Sequence, residues 1–275
     1  MKNRIIVAAI FIPILFIILF FLPAYIFAAV IAIVCAVSAY ELQHAIGGKS
    51  NDRISIYAVF SAALIPVGVY FDMGMPVFTA VSLVLLCLMF VEAIIGFRTI
   101  RRVTFAQVLT VAFGGAMIPF FLSNLISLKS LPEGRLFVLL PVISAFITDA
   151  GAYFIGMFFG KRKAFPQVSP KKTVEGCIGG LAIGVAALVI YGGVIYFTTL
   201  HEVVFWALIL YGVIGAVLTE LGDLAFSLVK REFDIKDYGR LLPGHGGMLD
   251  RFDSMVFTAP AMYLLVTVMP AIIVK

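Results

Sequence analysis

The chain has 275 residues, of which 63% are hydrophobic and only 13% charged, with a formal net charge of +5. A soluble domain carries roughly a quarter of its residues as Asp, Glu, Lys and Arg, and the mean hydropathy here is +1.13. Composition therefore excludes an ordinary soluble fold, and with it disorder, collagen and a coiled coil. Cys35, Cys87 and Cys177 stand singly in apolar stretches. They offer neither a disulfide framework nor a thiolate metal site and read as buried packing residues.

In chain order, Met1-Lys2-Asn3-Arg4 precedes the apolar run Ile5 to Leu22, which imitates a signal peptide but is too long and leads straight into more apolar sequence. It reads as an uncleaved first helix. A span needs ~20 apolar residues, and punctuation by charge, Gly and Pro predicts nine: 5–22, 25–46, 54–71, 76–97, 104–128, 136–159, 174–198, 203–229 and 252–273. The first two are divided at Leu22-Pro23, because proline punctuates helices. The predicted fold class is thus all-α, a polytopic membrane protein of about nine transmembrane helices. It divides into an N-terminal part, 1–130, of about five spans, and a C-terminal catalytic part, 131–275, with cytoplasmic loops at 160–173 and 230–251.

Short loops rich in Lys and Arg stay in the cytoplasm. With the N-terminus inside, all of the 20 basic residues except Lys129, Arg135 and Lys275 fall on the inner side. The N-terminus is therefore expected to be cytoplasmic and the C-terminus outside. The positive charge then describes a membrane face suited to anionic lipid or phosphate, with no basic domain that would argue for nucleic acid.

Carboxylates within a span are costly and point to function. Asp149, Glu220 and Asp223 lie inside predicted spans, and Asp250 and Asp253 lie where the last inner loop enters the ninth. Glu220, Asp223, Ser227, Lys230 and Arg231 share one helical stripe of roughly 100°. Asp250 and Asp253, three apart, would be neighbours on one turn. Clustered carboxylates without a His or Cys grouping suit a hard cation such as Mg²⁺, which keeps waters and substrate phosphate oxygens. Charge-neutralising bridges from these acids to Lys230, Arg231 and Arg251 are the alternative reading.

In the first inner loop, Ser169-Pro170-Lys171-Lys172-Thr173 leads into Glu175-Gly176. A hydroxyl and two lysines at a helix N-terminus make a phosphate-binding corner, although positive-inside anchoring also explains the lysines. Gly176, Gly180 and Gly184 have the four-residue spacing that lets a neighbouring helix approach closely. The last inner loop contains His245-Gly246-Gly247, a turn whose backbone can approach a phosphate. Gly47-Gly48-Lys49-Ser50 is rejected as a P-loop, because Gln43 stands where the first glycine belongs and no strand precedes it. Glu41, His44 and Glu92 read as interfacial polar residues.

From Ser227 to Asp253 the chain resembles the signature of the phosphatidate cytidylyltransferase (CDP-diacylglycerol synthase) family. Ser227, Lys230-Arg231, Lys236-Asp237, Gly239, Leu242-Pro243, His245-Gly246-Gly247 and Asp250-Arg251-Phe252-Asp253 stand at the family's spacing. Asp149 to Tyr153, Ser169 to Thr173 with Glu175-Gly176, and Glu220 with Gly222-Asp223 are also similar to that family. The first ~130 residues carry only multi-span hydrophobicity.

The resemblance implies transfer of CMP from CTP to phosphatidic acid, giving CDP-diacylglycerol and pyrophosphate, at the cytoplasmic face of the inner membrane with Mg²⁺. A second, monovalent cation is an open alternative. It implies that Asp223, Asp250 and Asp253, with Glu220 or Asp149, hold the metal. Lys171, Lys172, Lys230, Arg231 and Arg251 would neutralise phosphates. Ser169, Thr173, Ser227, Lys236, Asp237, Gly246, Gly247 and His245 complete the substrate site. A homodimer is the family expectation. A secondary transporter is the rival from another class, and a CTP-using enzyme acting on a different lipid is the nearer one.

Overall fold

The computed structural model describes residues 17–18, 20–46, 52–99, 102–241 and 246–273. Most of the expected first span, the Gly47 to Ser50 stretch and His245 therefore lie outside the described residues. The chain is mostly helical and divides into two compact units. One takes the described residues up to Ser130 together with Phe233–Phe252, and the other takes Leu131–Glu232 with the residues from Asp253 onward.

In the first unit, α1 (Ala24–Ile46), α2 (Asp52–Tyr70) and α3 (Gly74–Ile95) are long apolar helices. A broken helical stretch follows: α4 (Phe105–Ala112), a π-helical turn at Phe113–Met117, α5 (Ile118–Leu122) and α6 (Asn124–Ser130). Thr104 starts α4 through a capping box, its hydroxyl accepting from the Gln107 amide while the Gln107 side chain accepts from the Thr104 amide, which satisfies two N–H groups at the helix start. The core is Phe27, Ile31, Cys35 and Leu42 of α1 against Ala58, Ala62 and Ile65 of α2, with Leu85 and Met89 of α3. Gly114 and Gly115 lie in the π-helical turn where an added Cβ would strike Leu42 Cδ2 at 2.8 Å and Ala58 Cα at 3.0 Å, so small residues let α1 and α2 close on it. Between α2 and α3, Glu92 accepts from Tyr57 at 3.1 Å and pairs with Arg53 at 3.3 Å, in keeping with an interfacial polar residue. Much of α3 turns bulky side chains outward, among them Leu83, Val84, Phe90 and Ile94, a surface suited to lipid tails rather than water.

The second unit contains α7 (Gly134–Phe137), α8 (Leu139–Phe159), the hairpin β1 (Lys163–Phe165) and β2 (Ser169–Thr173), α9 (Val174–Thr198), β3 (Glu202–Val203), α10 (Phe205–Glu232) and β4 (Ile272–Ile273). It also takes all but the first turn of α11 (Leu249–Val268), which begins in the first unit. β1 and β2 pair antiparallel with Lys163 opposite Thr173, and β3 pairs antiparallel with β4. The expected all-α chain therefore carries two short antiparallel pairs. The glycine spacing of α9 acts as its four-residue repeat requires: an added Cβ would meet Ala152 O at 2.8 Å from Gly176 and Thr148 O at 2.9 Å from Gly180. Helices α8 and α9 can approach that closely only without side chains there.

Among the described residues, seven stretches are long and apolar enough to cross a membrane: Ala24–Ile46, Arg53–Tyr70, Gly74–Ile95, Phe105–Ser130, Gly134–Phe159, Val174–Thr198 and Phe205–Glu232. They coincide, to within a few residues, with the second to eighth expected spans, and the chain is a multi-pass membrane protein. Helix α11 (Leu249–Val268), at the place of the expected ninth span, is not one of these seven, and its first turns carry Asp250, Arg251 and Asp253. Cys87 is exposed and Cys177 half-buried, so only Cys35 is the buried packing residue the sequence suggested.

Candidate active site

In the second unit, functional side chains converge from four elements. Along β2, alternation sends Lys171 outward and turns Lys172 inward. The Lys172 ammonium lies 2.7 Å from Glu220 Oε2 and 2.8 Å from Asp223 Oδ2, so it bridges two acids one turn apart on α10. Burial works against the charge on Lys172, but attraction by Asp223 and Glu220 prevails and holds its pKa above the ordinary lysine range. The lysine is therefore a fixed cation at any physiological pH.

Further carboxylates surround this bridge. Asp149 of α8 interacts electrostatically with Asp223, Asp253 and Glu220 as well as with Lys172. Its Oδ2 accepts from the Ser254 hydroxyl at 3.2 Å, and the neighbouring Asp253 accepts from the Ser254 amide at 2.8 Å. Gly222 explains how α11 comes so near α10: an added Cβ would stand 2.9 Å from Asp253 O and from Ser254 Cα. A hydroxyl pair, Thr219 with Thr258 at 3.1 Å, fixes the same crossing one turn further along. Negative charge thus exceeds positive charge in the cluster, and Glu220 Oε1 is buried with no hydrogen-bond partner. An orphaned buried carboxylate oxygen carries a desolvation cost that a bound cation would offset. Among the described residues, no three His, Cys, Asp or Glu side chains form a ready-made metal cage.

The surrounding scaffold is built by local hydrogen bonds. The Thr173 hydroxyl accepts from the Gly176 amide at 3.1 Å and is the N-cap of α9; the residue is buried. Glu175 Oε2 accepts from the Lys161 and Arg162 amides at 3.0 and 3.2 Å, tying the start of the loop to the start of α9. Arg231 is exposed at the end of α10 and donates from Nε to Val168 O at 3.2 Å. Ser227 and Lys230 are buried, while Ser169 is half-buried. Lys172, from a different element than the stripe of α10, is a cation that pairs with Glu220 and Asp223. Cys177, read from the sequence as a packing residue, brings its thiol 3.5 Å from Glu220 Oε2.

In the first unit the loop before α11 is organised around carboxylates that accept from backbone. Asp250 Oδ2 accepts from the Tyr238 and Gly247 amides, both at 2.9 Å. Gly246 has φ +83°, a left-handed conformation that favours glycine, and a Cβ there would also crowd Asp250 Oδ2 at 2.9 Å. Lys236, Asp237 and Arg251 are exposed. Glu41, read from sequence as merely interfacial, is buried and accepts from the Met248 and Leu249 amides at 3.0 and 2.9 Å. The sequence signal that pointed to it was a carboxylate within an apolar helix.

The family model for the cytidylyltransferase family matches residues 2–269. The chain belongs to the cytidylyltransferase family. Its relatives include proteins named phosphatidate cytidylyltransferase. That of Bacillus subtilis is 37% identical over 163 residues, 59% of each chain. That of Staphylococcus aureus is 43% identical over 133 residues, 48% of this chain and 50% of the relative. That of Staphylococcus haemolyticus is 41% identical over 133 residues, with the same coverage. The matches thus span between half and three-fifths of these relatives' length.

Proposed function

We propose that this protein transfers CMP from CTP to phosphatidic acid, releasing pyrophosphate and forming CDP-diacylglycerol, at the cytoplasmic face of the inner membrane. The observation that carries the reading is the half-buried acid cluster bridged by Lys172 in a chain of the cytidylyltransferase family. The names of the bacterial relatives support the choice of phosphatidic acid as acceptor.

The reaction is an in-line attack by a lipid phosphate oxygen on the α-phosphorus of CTP. It asks the protein for alignment and charge stabilisation more than for covalent help. The donor set is all oxygen and includes the orphaned Glu220 Oε1, which fits Mg²⁺; that ion usually binds through one or two carboxylates plus waters and phosphates and needs no protein cage. Asp223 and Asp253, with Glu220 and Asp149, would hold it, as would Asp250, one turn before Asp253 on α11. When bound, the ion would neutralise charge on the triphosphate and the leaving pyrophosphate.

Lys172 has a second task. In the ligand-free cluster it neutralises Glu220 and Asp223, and a phosphate arriving beside it competes for the same ammonium. Pairing with the phosphate frees the two carboxylates. Lys171, Lys230, Arg231 and Arg251 add positive charge for phosphate and headgroup, and Ser169, Ser227, Lys236, Asp237, His245 and the Gly246–Gly247 turn supply further substrate contacts. The protein would act as a homodimer.

Product analysis tests the reading. Purified protein with CTP, phosphatidic acid and Mg²⁺ is expected to yield CMP joined to lipid and free pyrophosphate. Free CDP with a phosphorylated lipid would point instead to a CTP-dependent kinase.

A further inference from the structure

Glu41 lies on α1 and is 5% exposed, yet it faces no cation among the described contacts. Its Oε1 accepts from the Met248 amide and its Oε2 from the Leu249 amide, 207 and 208 residues away in sequence. These are the residue before α11 and the first residue of it, where a helix leaves its N–H groups without internal partners. Glu41 therefore caps α11 from a distant helix, supplying the acceptor that a local N-cap side chain usually provides.

The same carboxylate meets both arms of the loop. A Cβ added at Gly239 or at Gly247 would overlap the Glu41 carboxyl oxygens, so glycine at each position is what allows the loop to close on it. On the opposite side Asp250 binds the Tyr238 and Gly247 amides. The segments 237–239 and 246–250 are thus clamped between two carboxylates.

We infer that Glu41 is a positioning residue for nucleotide binding: it pre-orders the segments 237–239 and 246–250 and sets Asp250 at the start of α11. The inference rests on the cytidylyltransferase reading only in assigning that loop to the nucleotide. Glu41→Gln keeps the shape but replaces one acceptor oxygen with an amide that faces an N–H. In purified full-length protein in detergent, peptides covering 246–250 in Glu41→Gln are expected to exchange amide hydrogen at least tenfold faster than wild type, while peptides around Glu92 stay unchanged. The KM for CTP is expected to rise about tenfold with kcat changed less than threefold, because binding must now order the loop. Glu41→Asp, one methylene short, should fall between the two. Gly239→Ala, which displaces the loop while keeping the carboxylate, should reproduce both changes and serves if Glu41→Gln does not fold.

Unchanged exchange in Glu41→Gln and Gly239→Ala would overturn the clamp. Faster exchange with an unchanged KM would overturn the positioning role. If wild type transfers no CMP, the exchange result still decides the clamp, so failure of the functional reading is seen separately.

Discussion

The two units use carboxylates in opposite ways. In the second, Glu220, Asp223 and Asp149 face other side chains, with one lysine bridging two of them and one buried oxygen left without a partner. In the first, Glu41 and Asp250 accept from backbone amides of a glycine-rich loop. A carboxylate bound to backbone is committed to shape, since removing it leaves amides unsatisfied. One held by a mobile ammonium can exchange that partner for a ligand. In the proposed reaction the charge of the second unit meets the ligand, while in the first Glu41 is given to building the loop.

The largest effect expected from breaking the contrast is in the acid cluster. Asp223→Asn and Asp253→Asn should each lower CMP transfer by about 10²-fold or more, on the order of an electrostatic contact made to the reacting groups, while the protein still inserts in the membrane. Asp250→Asn should lose most activity as well. Labelled-product assays at matched amounts of membrane-inserted protein check all three, and normal turnover in any one would remove it from the proposed metal site.

Lys172→Met comes next. It removes the cation that bridges Glu220 and Asp223, and breaking a pair that is largely out of water costs up to about 3–5 kcal/mol. The pairing raises the lysine pKa, so its contribution to stability is complete below the ordinary lysine value of about 10.4 and is lost only as pH rises through the still higher folded value. The stability difference between wild type and Lys172→Met, read by thermal unfolding in detergent, should therefore be constant from pH 7 to pH 9. A difference that fades within that window would contradict the bridge.

Much of this organisation is legible in the residues, for physical reasons that differ by element. Seven apolar stretches declare themselves because a bilayer demands length and hydrophobicity together, and α8 against α9 follows from Gly176 and Gly180. Pairing between distant elements is not legible in this way. The stripe of Glu220, Asp223, Lys230 and Arg231 shows that α10 carries charge, yet nothing local says that Lys172, on a strand before α9, supplies the bridging cation. Glu41 looks ordinary in its own helix because its partners are backbone amides of a loop more than 200 residues away. The hairpin of β1 and β2 is hidden for another reason: strands this short have too few residues to show alternation.

Smaller effects sharpen the scaffold side. Thr173→Ala removes the cap of α9 and should cost about 1 kcal/mol, with CMP transfer reduced only as far as the hairpin shifts. Glu92→Gln breaks the pair with the half-exposed Arg53 and should change stability by less than about 1 kcal/mol, leaving KM for CTP as in wild type. Thermal unfolding and steady-state kinetics on the same preparations would separate these scaffold effects from those of the acid cluster.

The most direct measurement incubates purified wild type and Asp223→Asn with α-labelled CTP, phosphatidic acid and Mg²⁺, then separates lipid from aqueous label. The account predicts label in the lipid fraction for wild type only when both substrates and metal are present, and nearly none for the variant. Equal transfer by the two would contradict the assignment of the acid cluster to the reaction, and no transfer by a wild type that binds CTP would contradict phosphatidic acid as the acceptor.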